Sequence, residues 1–141
     1  MQLRPAGPDD APALARLSAE LGYSDELSAL HERLLVLLQQ PDQTLWLAEE
    51  DGEVLGWMNA RINYQLESPP HAEITGLVVA SHRRSQGIGA ALVAQAERWA
   101  RARGLRQLRV RSRLERARAH AFYQRLGYAE LKTQRCFERQ L

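Results

Sequence analysis

The stretch HRRSQGIG, His82 to Gly89, separates an apolar strand pattern from an apolar helical pattern. Amide groups at a helix N-terminus lack partners within the helix, and the helix dipole favours an anion there. Glycine at 87 and 89 lets a ligand approach the backbone closely, and Arg84 adds a charge that binds phosphate. The stretch therefore predicts a phosphate-binding loop. A tight strand-to-helix turn without a ligand remains the alternative.

Other glycine-rich loops fit these letters less well. A P-loop requires Gly-Lys followed by Ser or Thr, which is missing here. A dinucleotide-binding fingerprint requires a third glycine, and Leu92 stands at that place in GIGAAL.

The elements on either side of the loop predict an α/β protein of order β-α-α-β-β-β-α-β-α-β(-β). Asp51-Gly52 between two apolar runs indicates a hairpin. In the strand 71–80, every second residue is expected to share one face, namely Glu73, Thr75, Leu77 and Val79. Helices are predicted from about Asp10, over 25–39, from the loop glycines to Gly104, and over 115–126. Strands are predicted at 1–4, 45–47, 54–58, 71–80 and 105–111, with one or two more in the tail.

Composition and charge restrict the class of protein. The chain has 141 residues and fits one domain spanning 1–141. No apolar run reaches the roughly 18 residues that a membrane span requires, and the N-terminus lacks the apolar region of a secretory signal. The single cysteine, Cys136, is expected as core filler on a tail strand. These features together predict a cytoplasmic location and no membrane contact.

The charges divide unevenly along the chain. Residues 1–70 hold 4 basic and 12 acidic side chains, and residues 71–141 hold 15 basic and 5 acidic ones. The basic half suits a polyanion such as a nucleotide cofactor, whereas the acidic half suits a cationic substrate. Solvated arginines on helix faces are the plainer interpretation of many of these charges. The four histidines have no metal-ligand spacing, so no metal site is expected.

Two motifs resemble the GNAT superfamily of acetyl-CoA-dependent N-acetyltransferases. Residues 79–90 resemble its Q/R-x-x-G-x-G/A signature, and residues 116–128 resemble its later A-x-x-F-Y-x-x-x-G-F/Y motif. The resemblance covers essentially the whole chain. It implies the GNAT fold, a mixed central β-sheet flanked by about four helices, and transfer of an acetyl group from acetyl-CoA to a primary amine.

The resemblance also implies roles for individual residues. Tyr123 would be the general acid and Glu73 a base or a substrate-binding carboxylate, while Tyr23 and Tyr64 would line the acceptor pocket, with Asp25, Glu26 and Glu67 attracting a cation. Arg116 stands where many members carry asparagine, which leaves its cofactor contact open. The cofactor-binding set would be Leu77, Val78, Val79, Arg84, Ser85, Gln86, Gly87, Ile88, Gly89, Ala90, Arg116, Ala119, Phe122 and Tyr123.

Two other classes remain alternatives. The chain could be a non-catalytic acyl-CoA sensor, or an arginine-rich domain that binds nucleic acid. Few aromatic side chains lie among the arginines, and no nucleic-acid motif is present, which disfavours the second class. The acceptor is expected to be a small-molecule or protein amine, and a homodimer is left open.

Overall fold

The computed structural model describes residues 1–23 and 26–141. The chain forms two compact units, Met1–Arg111 and Ser112–Leu141. The first unit contains strands β1 (Gln2–Pro5), β2 (Gln43–Glu50), β3 (Glu53–Asn63), β4 (His71–Val79) and β5 (Leu108–Val110). Its helices are α1 (Ala11–Ala19), α2 (Leu27–Leu38) and α3 (Ile88–Ala102), with 3-10 turns at Pro8–Asp10 and Ser81–Arg83. The second unit contains α4 (Ala117–Arg125).

The five strands form one mixed sheet in the order β1-β2-β3-β4-β5. The first four strands pair antiparallel, and β5 pairs parallel with β4. This parallel pairing covers three residues of β4 and ends at Ile74, opposite Val110. The α/β class and the mixed sheet agree with the sequence prediction, as does the hairpin. Asp51 and Gly52 in its turn both have positive φ, 50° and 79°.

Helices cover the two faces of the sheet. Leu14 and Leu17 of α1 and Leu34 of α2 are buried in one cluster with Leu47 of β2. On the opposite face, the backbone of Gly56 lies so close to α3 that an added Cβ would be 3.2 Å from the Leu92 side chain. Burial of these apolar side chains stabilises both layers because it removes their surface from water.

A β-bulge interrupts β4. Asn59 of β3 pairs with Gly76, but the next residue, Ala60, pairs with Ile74. Thr75 is therefore an extra residue with no residue of β3 opposite it in the register, and the alternation of side chains along β4 reverses at this point.

The bulge corrects one sequence prediction. Glu73 lies opposite Arg61 on β3, and Leu77 lies opposite Met58. Arg61 and Met58 are an odd number of positions apart on β3, so their side chains point to opposite faces of the sheet. Residues opposite each other in the register share a face, so Glu73 and Leu77 lie on opposite faces as well. Glu73 is thus on the face that α1 and α2 cover, and Leu77 is on the α3 face. The prediction of one shared face for residues 73, 75, 77 and 79 is wrong because strict alternation does not survive the extra residue.

The tail also differs from its prediction. Residues 129–141 contain no strand, so the predicted tail strands are absent from the described chain. Cys136 is exposed rather than part of a core, as are the apolar side chains of Leu131 and Phe137. A strand requires a neighbouring strand for its backbone hydrogen bonds, and in the described structure residues 129–141 pair with none.

No helix among the described residues has the length and apolar character needed to cross a membrane.

Candidate active site

The loop before α3 has the conformation of an anion-binding turn. Ser85 and Gly87 have positive φ values of 65° and 83°, and Gly87 directly precedes the first helical residue. A Cβ built on Gly87 would meet no atom within 4 Å, so its backbone faces open space. Within the described chain, no carbonyl or side chain accepts a hydrogen bond from the amides of Gln86–Ala90. These amides are therefore available to the oxygens of a pyrophosphate.

The two arginines of this loop behave differently. Arg83 bonds to Glu50, with Nη2 2.5 Å from Oε2, and to the side-chain oxygen of Gln86 at 2.7 Å. Arg84 is exposed and has no ion pair within the described residues. The charge available to a phosphate at this loop is therefore that of Arg84.

One edge of β4 is unpaired next to this loop. The amide of Ala80 donates to the carbonyl of Leu55 on β3, 2.8 Å away. Because backbone groups alternate in direction along an extended strand, those of Leu77 and Val79 point to the other edge. No described strand occupies that edge beyond Ile74, where pairing with β5 ends. The structure thus presents unpaired donors and acceptors at these two residues, to which an extended amide-bearing chain can bind.

Glu73 is held between two guanidinium groups. Its carboxylate is buried, with 4% of the side chain exposed. Arg61 donates to Oε2 from Nη2 at 3.1 Å and from Nε at 3.3 Å, and Arg111 donates to Oε1 from Nε at 2.5 Å. Burial acts to raise the pKa of Glu73, but the hydrogen bonds from Arg111 and Arg61 outweigh it, and the pKa lies below its usual value. Glu73 is therefore ionised at neutral pH, and both of its oxygens are engaged.

The second unit contains the other motif. The rings of Phe122 and Tyr123 on α4 meet edge to face, with centroids 5.0 Å apart, and Tyr128 lies 6.1 Å from Tyr123. Burial raises the pKa of the Tyr123 phenol, against a smaller opposing effect of the Arg116 charge. The phenol is therefore fully protonated at neutral pH, which is the state that a proton donor requires.

Several predicted residues lie at the ends of these elements. Arg116 is the residue before α4, and Ala119 lies in its first turn. Tyr23 and Tyr64 are exposed, in the coil after α1 and in the loop after β3 respectively. The prediction for Asp25 falls outside the described residues. His120 hydrogen-bonds the carbonyl of Arg113 at 2.8 Å.

Sequence reasoning missed Arg61 and Arg111 as site residues. The available signal was an arginine on β3 and another directly after β5, and recognising it required knowledge of the strand register. Within the described residues, no group of three or more His, Cys, Asp or Glu side chains is arranged to hold a metal.

Comparison with known proteins identifies the class. The family model described as the acetyltransferase (GNAT) family matches residues 12–128. An aminoglycoside N(6')-acetyltransferase type 1 of Stenotrophomonas maltophilia is 32% identical over 133 residues, covering 91% of this chain and 86% of the relative. An aminoalkylphosphonate N-acetyltransferase of Salmonella typhimurium is 32% identical over 134 residues, covering 92% of this chain and 85% of the relative.

Solved structures have the same fold. The crystal structure of an aminoglycoside 6'-N-acetyltransferase from Acinetobacter haemolyticus superposes with a TM-score of 0.88 at 23% identity, covering 100% of this chain and 99% of that one. The chain therefore belongs to the GNAT acetyltransferase family. It is an acyltransferase that uses acetyl-CoA as its acyl donor.

Proposed function

We propose that this enzyme transfers the acetyl group of acetyl-CoA directly to a primary amine. The observation that carries the proposal is the combination, within one unit, of unpartnered amides at the start of α3 and the unpaired edge of β4. The first feature suits a pyrophosphate and the second suits the amides of a pantetheine arm. We further propose that residues 1–141 act as one catalytic domain, and that the enzyme works in the cytoplasm.

In this proposal the donor lies along the loop and the strand edge. The amides of Gln86–Ala90 bind the pyrophosphate, assisted by the charge of Arg84. The backbone groups of Leu77 and Val79 bond to the pantetheine amides. Donor contacts by Ala119, Phe122 and Arg116 of the second motif are proposed from the family resemblance alone. Acetyl-CoA supplies the acetyl group as a thioester.

Tyr123 is proposed as the general acid. Transfer forms a bond from the amine nitrogen to the acetyl carbon and breaks the carbon–sulfur bond. The leaving sulfur then needs a proton, and a phenol with a raised pKa retains one at neutral pH. The amine loses its own proton to water, since an alkylamine has a pKa of about 10.4 and reacts through its neutral fraction. A positioned proton transfer contributes roughly 100- to 10,000-fold in rate.

Glu73 is proposed as a positioning residue, in place of the base or substrate-binding carboxylate that the resemblance implied. A base requires an oxygen free to take a proton, and a pKa near the working pH. Both Glu73 oxygens accept hydrogen bonds from guanidinium groups, and its pKa is lowered. Its role in this account is to hold Arg61 and Arg111 in place. Tyr23 and Tyr64 remain proposed contacts of the acceptor.

The function is tested by following free-thiol release with acetyl-CoA over a panel of amines. The panel includes kanamycin and 2-aminoethylphosphonate, because relatives are named for aminoglycosides and aminoalkylphosphonates. Mass spectrometry of the products identifies any N-acetylated amine. Binding of acetyl-CoA without acetylation of any amine would favour the acyl-CoA sensor.

A further inference from the structure

We propose that Arg61, held by Glu73, forms an anion-binding site for the acceptor. The acceptor would then carry an oxyanion, such as a phosphonate or carboxylate, a short distance from its reactive amine. This inference rests on the proposed acetyltransferase function and specifies its acceptor.

This cluster is rich in arginine. The Glu73 carboxylate pairs with the guanidinium groups of Arg61 and Arg111. Arg109 is the register neighbour of Glu73 on β5, so it lies on the same face of the sheet, and it has no ion pair among the described residues. An anion is attracted to such a surface, whereas a polycation is repelled by it.

The Arg61 guanidinium can also accommodate a ligand. Its side chain is 47% exposed, although the carboxylate it holds is buried. Nε and Nη2 are used on Glu73, while Nη1 makes no hydrogen bond to any described residue. A guanidinium has five N–H donors, so Arg61 can be fixed by Glu73 and still donate to an oxyanion. A side chain already fixed in position loses little entropy on binding.

The position of the cluster relates it to the proposed reaction. A pantetheine arm that starts at the α3 loop and follows Val79 and then Leu77 runs toward Thr75, where the free edge of β4 begins. The thioester end of the arm would lie beside Thr75. Thr75 is two residues from Glu73, which corresponds to about 7 Å along a strand. An amine at the thioester and an oxyanion on Arg61 would therefore belong to one short molecule.

The acidic first half of the chain had suggested a cationic acceptor. Part of that charge is neutralised within the protein: Asp10 and Glu49 bond to Arg4, and Glu50 bonds to Arg83. The charged cluster that lies beside the free strand edge is positive. It is this local charge that an acceptor would meet.

The kinetic test compares two acceptors that share a primary amine, 2-aminoethylphosphonate and 3-aminopropan-1-ol. We expect the wild type to prefer the phosphonate by at least about tenfold in kcat/KM, with β-alanine showing whether a carboxylate substitutes. Arg61→Gln should raise KM for the phosphonate by about 10- to 100-fold, as for loss of a charge-assisted hydrogen bond, and change KM for the alcohol by a much smaller factor. Arg61→Lys should have a KM for the phosphonate between those of the wild type and Arg61→Gln.

The matched control is Arg106→Gln, which removes an exposed arginine of the same unit that has no ion pair within the described chain. It should leave both acceptors unchanged. Equal losses for both acceptors in Arg61→Gln would show a purely structural role and overturn the inference. A wild-type preference for kanamycin over 2-aminoethylphosphonate would overturn it as well.

A binding measurement separates this inference from the proposed function. Ethylphosphonate, which has no amine, is titrated by calorimetry into enzyme saturated with CoA, so that the pyrophosphate site is occupied. Weaker binding in Arg61→Gln than in Arg106→Gln supports the anion site even if no amine is acetylated. Equal binding in the two variants, or none in the wild type, contradicts it.

Discussion

Glu73→Gln tests the account of the carboxylate through the pH dependence of stability. The change removes the charge that accepts three hydrogen bonds from Arg61 and Arg111. Hydrogen bonds to charged groups contribute about 1.5–3 kcal/mol each when buried. The two guanidinium groups are 47% and 59% exposed and can be rehydrated, so their share is screened. We expect the free energy of unfolding to fall by about 1–3 kcal/mol at pH 7.

The sign of the pH dependence follows from the lowered pKa. The folded-state pKa of Glu73 lies below the ordinary value of 4.5, so the stabilisation is complete above that pH. It is lost as the pH falls through the folded-state pKa, because the protonated carboxyl no longer attracts the arginines. The difference in the free energy of unfolding between wild type and Glu73→Gln should therefore be largest at pH 7 and should shrink as the pH falls.

Urea unfolding at a series of pH values measures this difference. The matched control is Glu67→Gln, an exposed loop carboxylate without an ion pair among the described residues, which should unfold like the wild type. Each kcal/mol corresponds to about 4 °C in Tm at this chain length, so thermal scans supply a second reading. A stability difference that is the same at pH 3 and pH 7 would refute the assignment of an ionised, arginine-bound Glu73.

Three further substitutions give separate readings. Tyr123→Phe should lower kcat by about 100-fold or more and leave acetyl-CoA affinity unchanged in calorimetry, and unchanged turnover would refute the acid role. Because the phenol pKa is raised above 10.0, the wild-type rate should show no loss of the acid below that pH. Gly87→Ala should cost about 1–2 kcal/mol by denaturant unfolding, since its φ of 83° strains any residue with a Cβ, and should weaken acetyl-CoA binding; wild-type affinity would contradict the loop assignment. Gly76→Ala places a Cβ in steric overlap with the Trp57 ring and should destabilise the fold by about 1–3 kcal/mol, so wild-type stability would contradict this packing.

Local signals in the sequence were sufficient to predict the strand-to-helix loop and the hairpin turn. The pair Asp51-Gly52 predicts a turn with two positive φ values because few other residues adopt that conformation. The HRRSQGIG stretch predicts a strand-to-helix turn from its glycines and from the apolar spacing that follows. Both predictions depend only on residues close in the chain, and the structure agrees with both.

The Glu73 cluster required information that local patterns do not contain. Arg61 and Arg111 lie 12 and 38 residues from Glu73 and meet it only through the register of β3, β4 and β5. The bulge at Thr75 has no composition that distinguishes it from regular strand, yet it determines which face each later residue occupies. The predicted tail strands failed for a related reason, since a strand forms only where a neighbour pairs with it.

The most direct test of the central claim is a single assay of the purified enzyme with acetyl-CoA and 2-aminoethylphosphonate. Free thiol and the N-acetylated product are measured in the same samples by colorimetry and mass spectrometry. We predict that free thiol and N-acetylated product appear in equal amounts, and that Tyr123→Phe slows the formation of both together. Thiol release without N-acetylated product, or no release above the rate without enzyme, would contradict this prediction.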